Sequence, residues 1–329
     1  MATIKDVAKA ANVSVATVSR VINNKGYVNE ETRRLVERAI KDLKYVPNQL
    51  ARSLYNKESK LISVFVPHIN TQFYSDLLDG IEDKALELGY KVMLCITKDN
   101  EQREMEYIQI VNQYNIDGII VASNAHNAET LIKSNYPVVT VDHILSENIP
   151  SVTSNNMIGG AIAAQRLIHG KANFVLELRG PSFLLTTAER SSGFRQTLIQ
   201  HNVPYISYDD DLINPNLKNI ERIIKENPQI DSIFATTDFL AINALNIVKK
   251  LGKRVPEDIQ IIGFDNIKYT ELVTPSITTV SQPIQDMGKM ALETLVEMLD
   301  DKQPEEFHRV LDVNLVERDS TRNGNNNNH

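Results

Sequence analysis

From residue 61 onward the chain alternates short apolar runs with segments of helical period, and this alternation restricts the fold more than any other feature. Runs at Leu61 to Val66, Val92 to Ile96, Gly118 to Ala122 and Val138 to Val141 are separated by helical patterns near 73–88, 101–113 and 128–134. A second series holds Phe174 to Leu178, a strand near Tyr205, Ile233 to Ala235 and Ile259 to Phe264. Helical patterns near 157–168, 188–200, 216–226 and 238–251 interleave with it. Short runs joined through helices belong to parallel sheets buried on both faces. The expected fold class is therefore α/β, with two doubly wound lobes forming one large body. Ile116 to Ser123 echoes Ile230 to Thr237, and Pro150 to Ser154 echoes Pro275 to Thr279, as a duplicated unit would.

Thr279 to Pro283 begins a return to the first lobe, Met287 to Leu299 reads as a helix there, and Val310 to Val316 goes back to the second. The expected lobes are thus about 61–156 with 283–306, and about 157–281 with 307–320, joined by a hinge of three crossings. The tail 321–329, rich in asparagine, is expected to be disordered.

The net charge of −7 is divided unevenly. Residues 1–60 carry 12 Lys and Arg against 6 Asp and Glu, whereas the remainder carries 23 against 36. A basic head on an acidic body would steer only the head toward phosphates. The single cysteine, Cys95, lies in the apolar run Lys91 to Ile96 and reads as a buried structural thiol in a reducing compartment. No run approaches the roughly 18 apolar residues of a membrane span, and the N-terminus lacks the apolar stretch of a signal peptide. A cytoplasmic protein with no membrane partner is expected.

The head has its own logic. Thr3 precedes Ile4, Val7, Ala8 and Ala11, whose spacing defines one helical face. Asn12-Val13 makes a tight break, after which Ser14 can cap a second helix with Val18, Val21 and Ile22 inward. Two short helices so joined match a helix-turn-helix. The outward face, Val15, Ala16, Ser19, Arg20 and Asn23, is too sparse for a core but suits a major groove. A third helix from Asn29, with Thr32, Leu35, Val36, Ala39, Ile40 and Leu43 as its apolar stripe, closes a small core. Pro47 then stops that helix and Asn48 can cap another of about two turns, too short to be stable alone. The domains expected are a helix-turn-helix over 1–46, a hinge helix and linker over 47–60, and the effector-binding body over 61–320.

Three stretches, Thr3 to Ala8, Val13 to Asn23 and Tyr45 to Leu54, resemble the lactose-repressor/galactose-repressor family of bacterial transcription regulators. The resemblance extends to about Arg322 and leans toward repressors of ribose operons through Gly26-Tyr-Val28, Ile168 to Lys171 and Pro256 to Gly263. It implies a homodimer on a pseudo-palindromic operator duplex, with a periplasmic-binding-protein-like body that takes a small sugar or sugar phosphate. Val15, Ala16 and Arg20 would occupy base-reading positions, with Thr17 and Ser19 near phosphates. Thr3, Ser14, Asn23, Tyr27, Asn48, Ala51 and Arg52 would also lie at the DNA. Leu54 would wedge into a central minor-groove step. Arg20 can grip a guanine bidentately, whereas Val15 and Ala16 can only meet thymine methyl groups.

In open α/β sheets ligands sit beyond the carboxyl ends of the strands. The residues there are polar: Asn70 and Phe73 after the first run, Ser123 and Asn124 after the third, Asp142 and His143 after the fourth. Asp238 and Asp265 hold the corresponding places in the second lobe, and Gln282 starts a crossing. Arg190 resembles the family's ligand arginine and Phe73 its stacking aromatic. Carboxylates that accept from paired hydroxyls, with an arginine donating to another, suit a sugar. The chain departs from the family at His143, where an arginine is common, and at Asn266, where a second aspartate is common. Catalysis is not expected: there is no Gly-x-Ser-x-Gly elbow, no phosphate-binding loop and no His/Cys cluster at metal spacing, and no cofactor or metal is implied. Two alternatives remain open, a sugar-binding protein of the transport type without DNA binding, and a global carbon regulator activated by a corepressor.

Overall fold

The computed structural model describes residues 2–24, 26–46, 58–123, 127–134 and 136–323. The chain divides into two compact units, Met1–Lys60 and Leu61–His329.

In the first unit, α1 (Ile4–Ala10) opens with a capping box in which Thr3 and Asp6 satisfy each other's end of the helix. Asn12 takes a left-handed turn, φ 52°, and Ser14 caps α2 (Val15–Asn23) by accepting from the Thr17 N–H at 3.1 Å. Asn29 caps α3 (Glu30–Asp42), accepting from two backbone N–H groups. Val7, Ala8, Ala11, Val18, Val21, Val36 and Ala39 form the buried core. The expected stripe of α3 is narrower than the sequence implies: Leu35 is half exposed and Leu43 lies at the surface. So small a core is marginal on its own.

The second unit contains two six-stranded sheets with the same strand order. The first runs β11-β5-β4-β3-β1-β2, the second β12-β10-β9-β8-β6-β7. Its first lobe is built from β1 (Leu61–Val66), α4 (Gln72–Leu88), β2 (Lys91–Ile96), α5 (Glu101–Tyr114), β3 (Gly118–Val121), α6 (Ala128–Ile132), β4 (Val138–Val141) and β5 (Ser151–Ser154). The second continues with α7 (Asn156–His169), β6 (Val175–Arg179), α8 (Leu185–Gln200), β7 (Tyr205–Asp209), α9 (Leu217–Glu226), β8 (Ser232–Ala235), α10 (Asp238–Lys250), β9 (Gln260–Asp265), α11 (Tyr269–Leu272) and β10 (Thr278–Ser281). Then α12 (Ile284–Leu299) and β11 (His308–Leu311) belong to the first lobe, and β12 (Asn314–Val316) to the second. The two sequence echoes fall on equivalent strands, β3 with β8 and β5 with β10. Burial on both sheet faces explains why the runs are continuously apolar. Among the described residues no helix is long and apolar enough to cross a membrane.

Two expectations need correction. The last return to the second lobe was expected from 307, but His308–Leu311 pairs in parallel with Ser151–Ser154 of the first sheet. The crossing therefore falls at 312–313, because β11 completes the edge beside β5 before β12 joins β10 antiparallel. The tail is also ordered further than expected. The Ser320 and Thr321 side chains are buried, and Arg322 donates from its backbone N–H to Gln260 and through its guanidinium to the Asp231 carbonyl. Residues 324–329 lie outside the described residues.

Each lobe uses glycines to bring two helices together. A Cβ at Gly160 would fall on the Arg190 carbonyl oxygen, and one at Gly193 on that of Met157, so α7 and α8 cross almost backbone to backbone. Gly80 and Gly288 do the same for α4 and α12. The α7–α8 crossing matters for function because it sets Asn156 and Arg190 side by side. Alanine is the better helix former, yet Gly193→Ala should destabilise the protein by about 1 to 3 kcal/mol through overpacking. Chemical denaturation checks this, and a gain in stability would contradict the close crossing.

Candidate functional site

The recognition surface of the first unit lies on α2. Val15 is 41% exposed, Ala16 and Arg20 are exposed, and Thr17, Ser19 and Asn23 are half-buried. Asn23 donates to Ser19 Oγ at 3.2 Å, while its own Oδ1 is buried with no partner. Arg33 donates to Asn24 Oδ1 at 2.7 Å, tying α3 to the left-handed residue that ends α2. Tyr27 projects with 90% of its surface exposed, and Thr3 is exposed beside its Asp6 partner. This helix therefore presents small and polar groups on a braced scaffold. Asn48, Ala51, Arg52 and Leu54 lie outside the described residues.

The second candidate site lies between the lobes, beyond the carboxyl ends of their strands. Its centre is Arg190 on α8, only 5% exposed. Arg190 Nε donates to Asn156 Oδ1 at 2.8 Å, and Nη1 donates to the Thr236 carbonyl at 2.7 Å and to Asp265 Oδ1 at 3.2 Å. The guanidinium lies 3.9 Å from the centre of the Phe264 ring. Gln282 Nε2 donates to the same Asp265 oxygen at 2.6 Å, and Ser154 Oγ donates to Gln282 Oε1. A continuous polar chain thus runs from the first lobe, through Ser154, across the Gln282 crossing, to Asp265 and Arg190 in the second. Asn156 closes it, donating to the Ser154 carbonyl at 3.2 Å and to Glu189 at 3.3 Å.

From the first lobe, Asp142 and His143 follow β4. Asp142 takes a left-handed conformation, φ 66°, and its Oδ1 is buried without a partner among the described residues. Burial pushes its carboxyl up to about 7, the nearby Arg190 opposes this, and Asp265 and Glu189 add to it. His143 Nδ1 sits 3.0 Å from the Val141 carbonyl and its Nε2 is buried without a partner. Burial holds the imidazole below its usual range, against the opposing pull of that carbonyl. Ser123, just past β3, also keeps a buried hydroxyl with no partner among the described residues. Phe73 meets Tyr74 edge to face at 5.2 Å, and both are half-buried. Asn70 is exposed and Asn124 lies outside the described residues.

Asp238 does not line the cleft. It is fully buried, Oδ2 accepting from the Ile267 N–H at 2.8 Å and Oδ1 from the Thr279 hydroxyl at 2.6 Å. It follows a strand, as the ligand rule requires, but its acceptors are used to hold the loop after β9. That loop needs holding: Asp265 and Asn266 are consecutive residues at φ 113° and 61°, a conformation that costs energy in non-glycine residues. Asp238 is therefore a positioning residue for Asp265. A polar cavity of about 260 Å³ opens beside Asp265 and Gln282, lined also by Asp76, Asn266, Gln285 and Asp286. Sequence reasoning passed over Tyr74, Ser154, Asn156 and Glu189. Asn156 and Ser154 flank the end of β5, so the same end-of-strand rule could have found them. Tyr74 is placed by electrostatics: burial raises its hydroxyl above the usual range and Asp142 is the next contributor.

Comparison with known proteins identifies the kind of domain in each unit. Residues 3–48 match the model of bacterial regulatory proteins of the lacI family, and residues 169–321 match a periplasmic binding protein-like domain. The ribose operon repressor of Halalkalibacterium halodurans is 37% identical over 327 residues, covering 99% of each chain. This chain belongs to the lacI family. The ribose operon repressor of Bacillus subtilis is 40% identical, covering 98% of this chain and 99% of its own. A crystal structure of the lac repressor dimer bound to operator and the anti-inducer ONPF has a TM-score of 0.89, covering 98% of this chain and 99% of that one. At 24% identity it speaks to the fold. The family's matched DNA-binding head removes the transport-type alternative: this lacI-family member is a sequence-specific DNA-binding transcription regulator with a sugar-binding type of body.

Because the folded chain retains a proton on Asp142 that the unfolded chain releases near its ordinary value of 3.8, this residue's stabilising contribution is complete below about pH 4. It is lost as pH rises through about 7. The melting temperature of the protein should therefore fall relative to that of Asp142→Asn between pH 5 and 8. Parallel curves for the two proteins would remove the buried-carboxyl assignment.

Proposed function

We propose that this regulator represses a carbohydrate-utilisation operon, ribose being the first candidate sugar, and that sugar entering the interlobe cleft releases it from DNA. The observation that carries this reading is the set of buried, unpartnered acceptors at the ends of β3 and β4. Ser123 Oγ, Asp142 Oδ1 and His143 Nε2 are removed from water and bonded to nothing among the described residues. Such groups are costly unless a ligand completes them, and hydroxyl groups are suited to do so. Arg190 acts on Asp142 from the other lobe. The names of the two full-length relatives support ribose.

In this reading Val15, Ala16 and Arg20 read base edges, while Thr3, Ser14, Thr17, Ser19, Asn23 and Tyr27 contact the backbone or its margin. The protein acts as a homodimer on a near-palindromic operator in the cytoplasm, with Asn48, Ala51, Arg52 and Leu54 completing the contact, and it is not an enzyme. The exposed Leu86, on α4, and Leu94, on the edge strand β2, give the first lobe an apolar surface suited to a second copy. Closure of the lobes on a sugar favours one arrangement of the body, and the linker passes that preference to the heads.

Operator affinity measured by fluorescence anisotropy, with and without D-ribose, tests the proposal. Arg20→Ala should weaken specific binding at least tenfold and leave sugar binding intact. Arg190→Ala should keep basal operator binding and lose the sugar response. An operator complex indifferent to ribose, fructose and sucrose would end the effector reading.

A further inference from the structure

Resting on that effector reading, we infer that the interlobe cleft selects a neutral sugar and rejects its phosphate esters, with His143 setting the preference. The charges and the hydrogen-bonding sense of the cleft both lead there. Two further carboxylates, Asp265 and Glu189, act on Asp142 and raise its carboxyl. The cation facing them is Arg190, and it is already engaged with Asp265, Asn156 and the Thr236 carbonyl. The next arginine, Arg318, reaches Asn266 at 2.8 Å but is held by Glu271 and the Ile277 carbonyl. No spare positive charge is therefore offered to a ligand by these groups.

Two first-lobe side chains at the cleft, His143 and Asp142, present acceptors. With its Nδ1–H donated to the Val141 carbonyl, a neutral His143 presents a lone pair at Nε2. Asp142 Oδ1 presents another. A sugar hydroxyl satisfies either by donating its hydrogen. A phosphate monoester carries about −1.5 to −2 charge and offers acceptor oxygens, so it meets acceptors with acceptors and carboxylates with like charge. It would have to sit beside ionised Asp142 and Asp265 or draw protons onto both. An arginine at 143 would reverse both terms at once, supplying donors and a fixed positive charge where the imidazole now accepts.

Isothermal titration calorimetry of the full chain at pH 7.5 tests this with matched pairs: D-ribose with D-ribose 5-phosphate, and D-fructose with D-fructose 6-phosphate. At least one neutral sugar should bind, with its phosphate at least 100-fold weaker. His143→Arg should close that gap to within tenfold, and Asp142→Asn, which keeps the side-chain shape, should narrow it. A phosphate binding as tightly as its parent sugar would overturn the inference and leave the effector reading standing. Binding of no sugar in either form would overturn the effector reading and this inference with it. A preference for the neutral sugar that neither variant shifts would take the discrimination away from Asp142 and His143.

Discussion

The buried guanidinium of Arg190 is the interaction on which the cleft depends. A cation removed from water must be matched by acceptors, and its partners come from three separate segments: Asn156 at one crossing, the Thr236 carbonyl after β8, and Asp265 at the end of β9. Removing one member of such a buried pair typically costs about 3 to 5 kcal/mol, since the other charge is left uncompensated. The glycine crossing of α7 and α8 is what lets Asn156 and Arg190 meet. Gln282 and Ser154 then carry the same network into the first lobe. The two lobes are thus joined through side chains at the cleft, so any molecule that engages Asp265 or Arg190 bears on the lobe connection.

Around that network the site stores strain and unsatisfied polarity. The left-handed residues Asp142, Asp265 and Asn266 cluster where the strands of both lobes end. Asp238 holds the second of these loops with both carboxylate oxygens. The first lobe leaves acceptors unbonded in return. Burial raises the carboxyl groups of both Asp142 and Asp265, with Arg190 opposing the shift at each. An acceptor-rich, weakly compensated cleft favours hydroxyl donors, and ligand hydrogen bonds made there relieve a cost already present in the protein.

Periodicity made the scaffold legible and left the network hidden. Continuous apolar runs are unavoidable for strands buried on both faces, so β1, β3, β4 and β8 could be read directly, and the echo between β3 and β8 gave the duplication. The cap Ser14 was readable because it is a local hydrogen bond. The end of the second lobe was misplaced because β11 joins its sheet through β5, more than 150 residues earlier in the chain, a pairing that no local pattern announces. Asp238 and Asp265 look alike in sequence, each following a strand. Only the fold shows that one is consumed by Ile267 and Thr279 while the other faces the cleft. Glu189 was missed because its place beside Asn156 comes from a helix crossing set by Gly160 and Gly193. Cys95 was read correctly: it is buried, and burial pushes its thiol up to about 12.

The central claim is that the polar chain from Ser154 through Gln282 to Asp265 and Arg190 transmits ligand occupancy between the lobes. The most direct measurement is the ratio of operator affinities with and without saturating sugar, compared between the wild type and Ser154→Ala, which trims the chain only at its first-lobe end. The account requires that ratio to shrink at least fivefold in the variant while sugar affinity changes little. An unchanged ratio would show that the lobes communicate by another route.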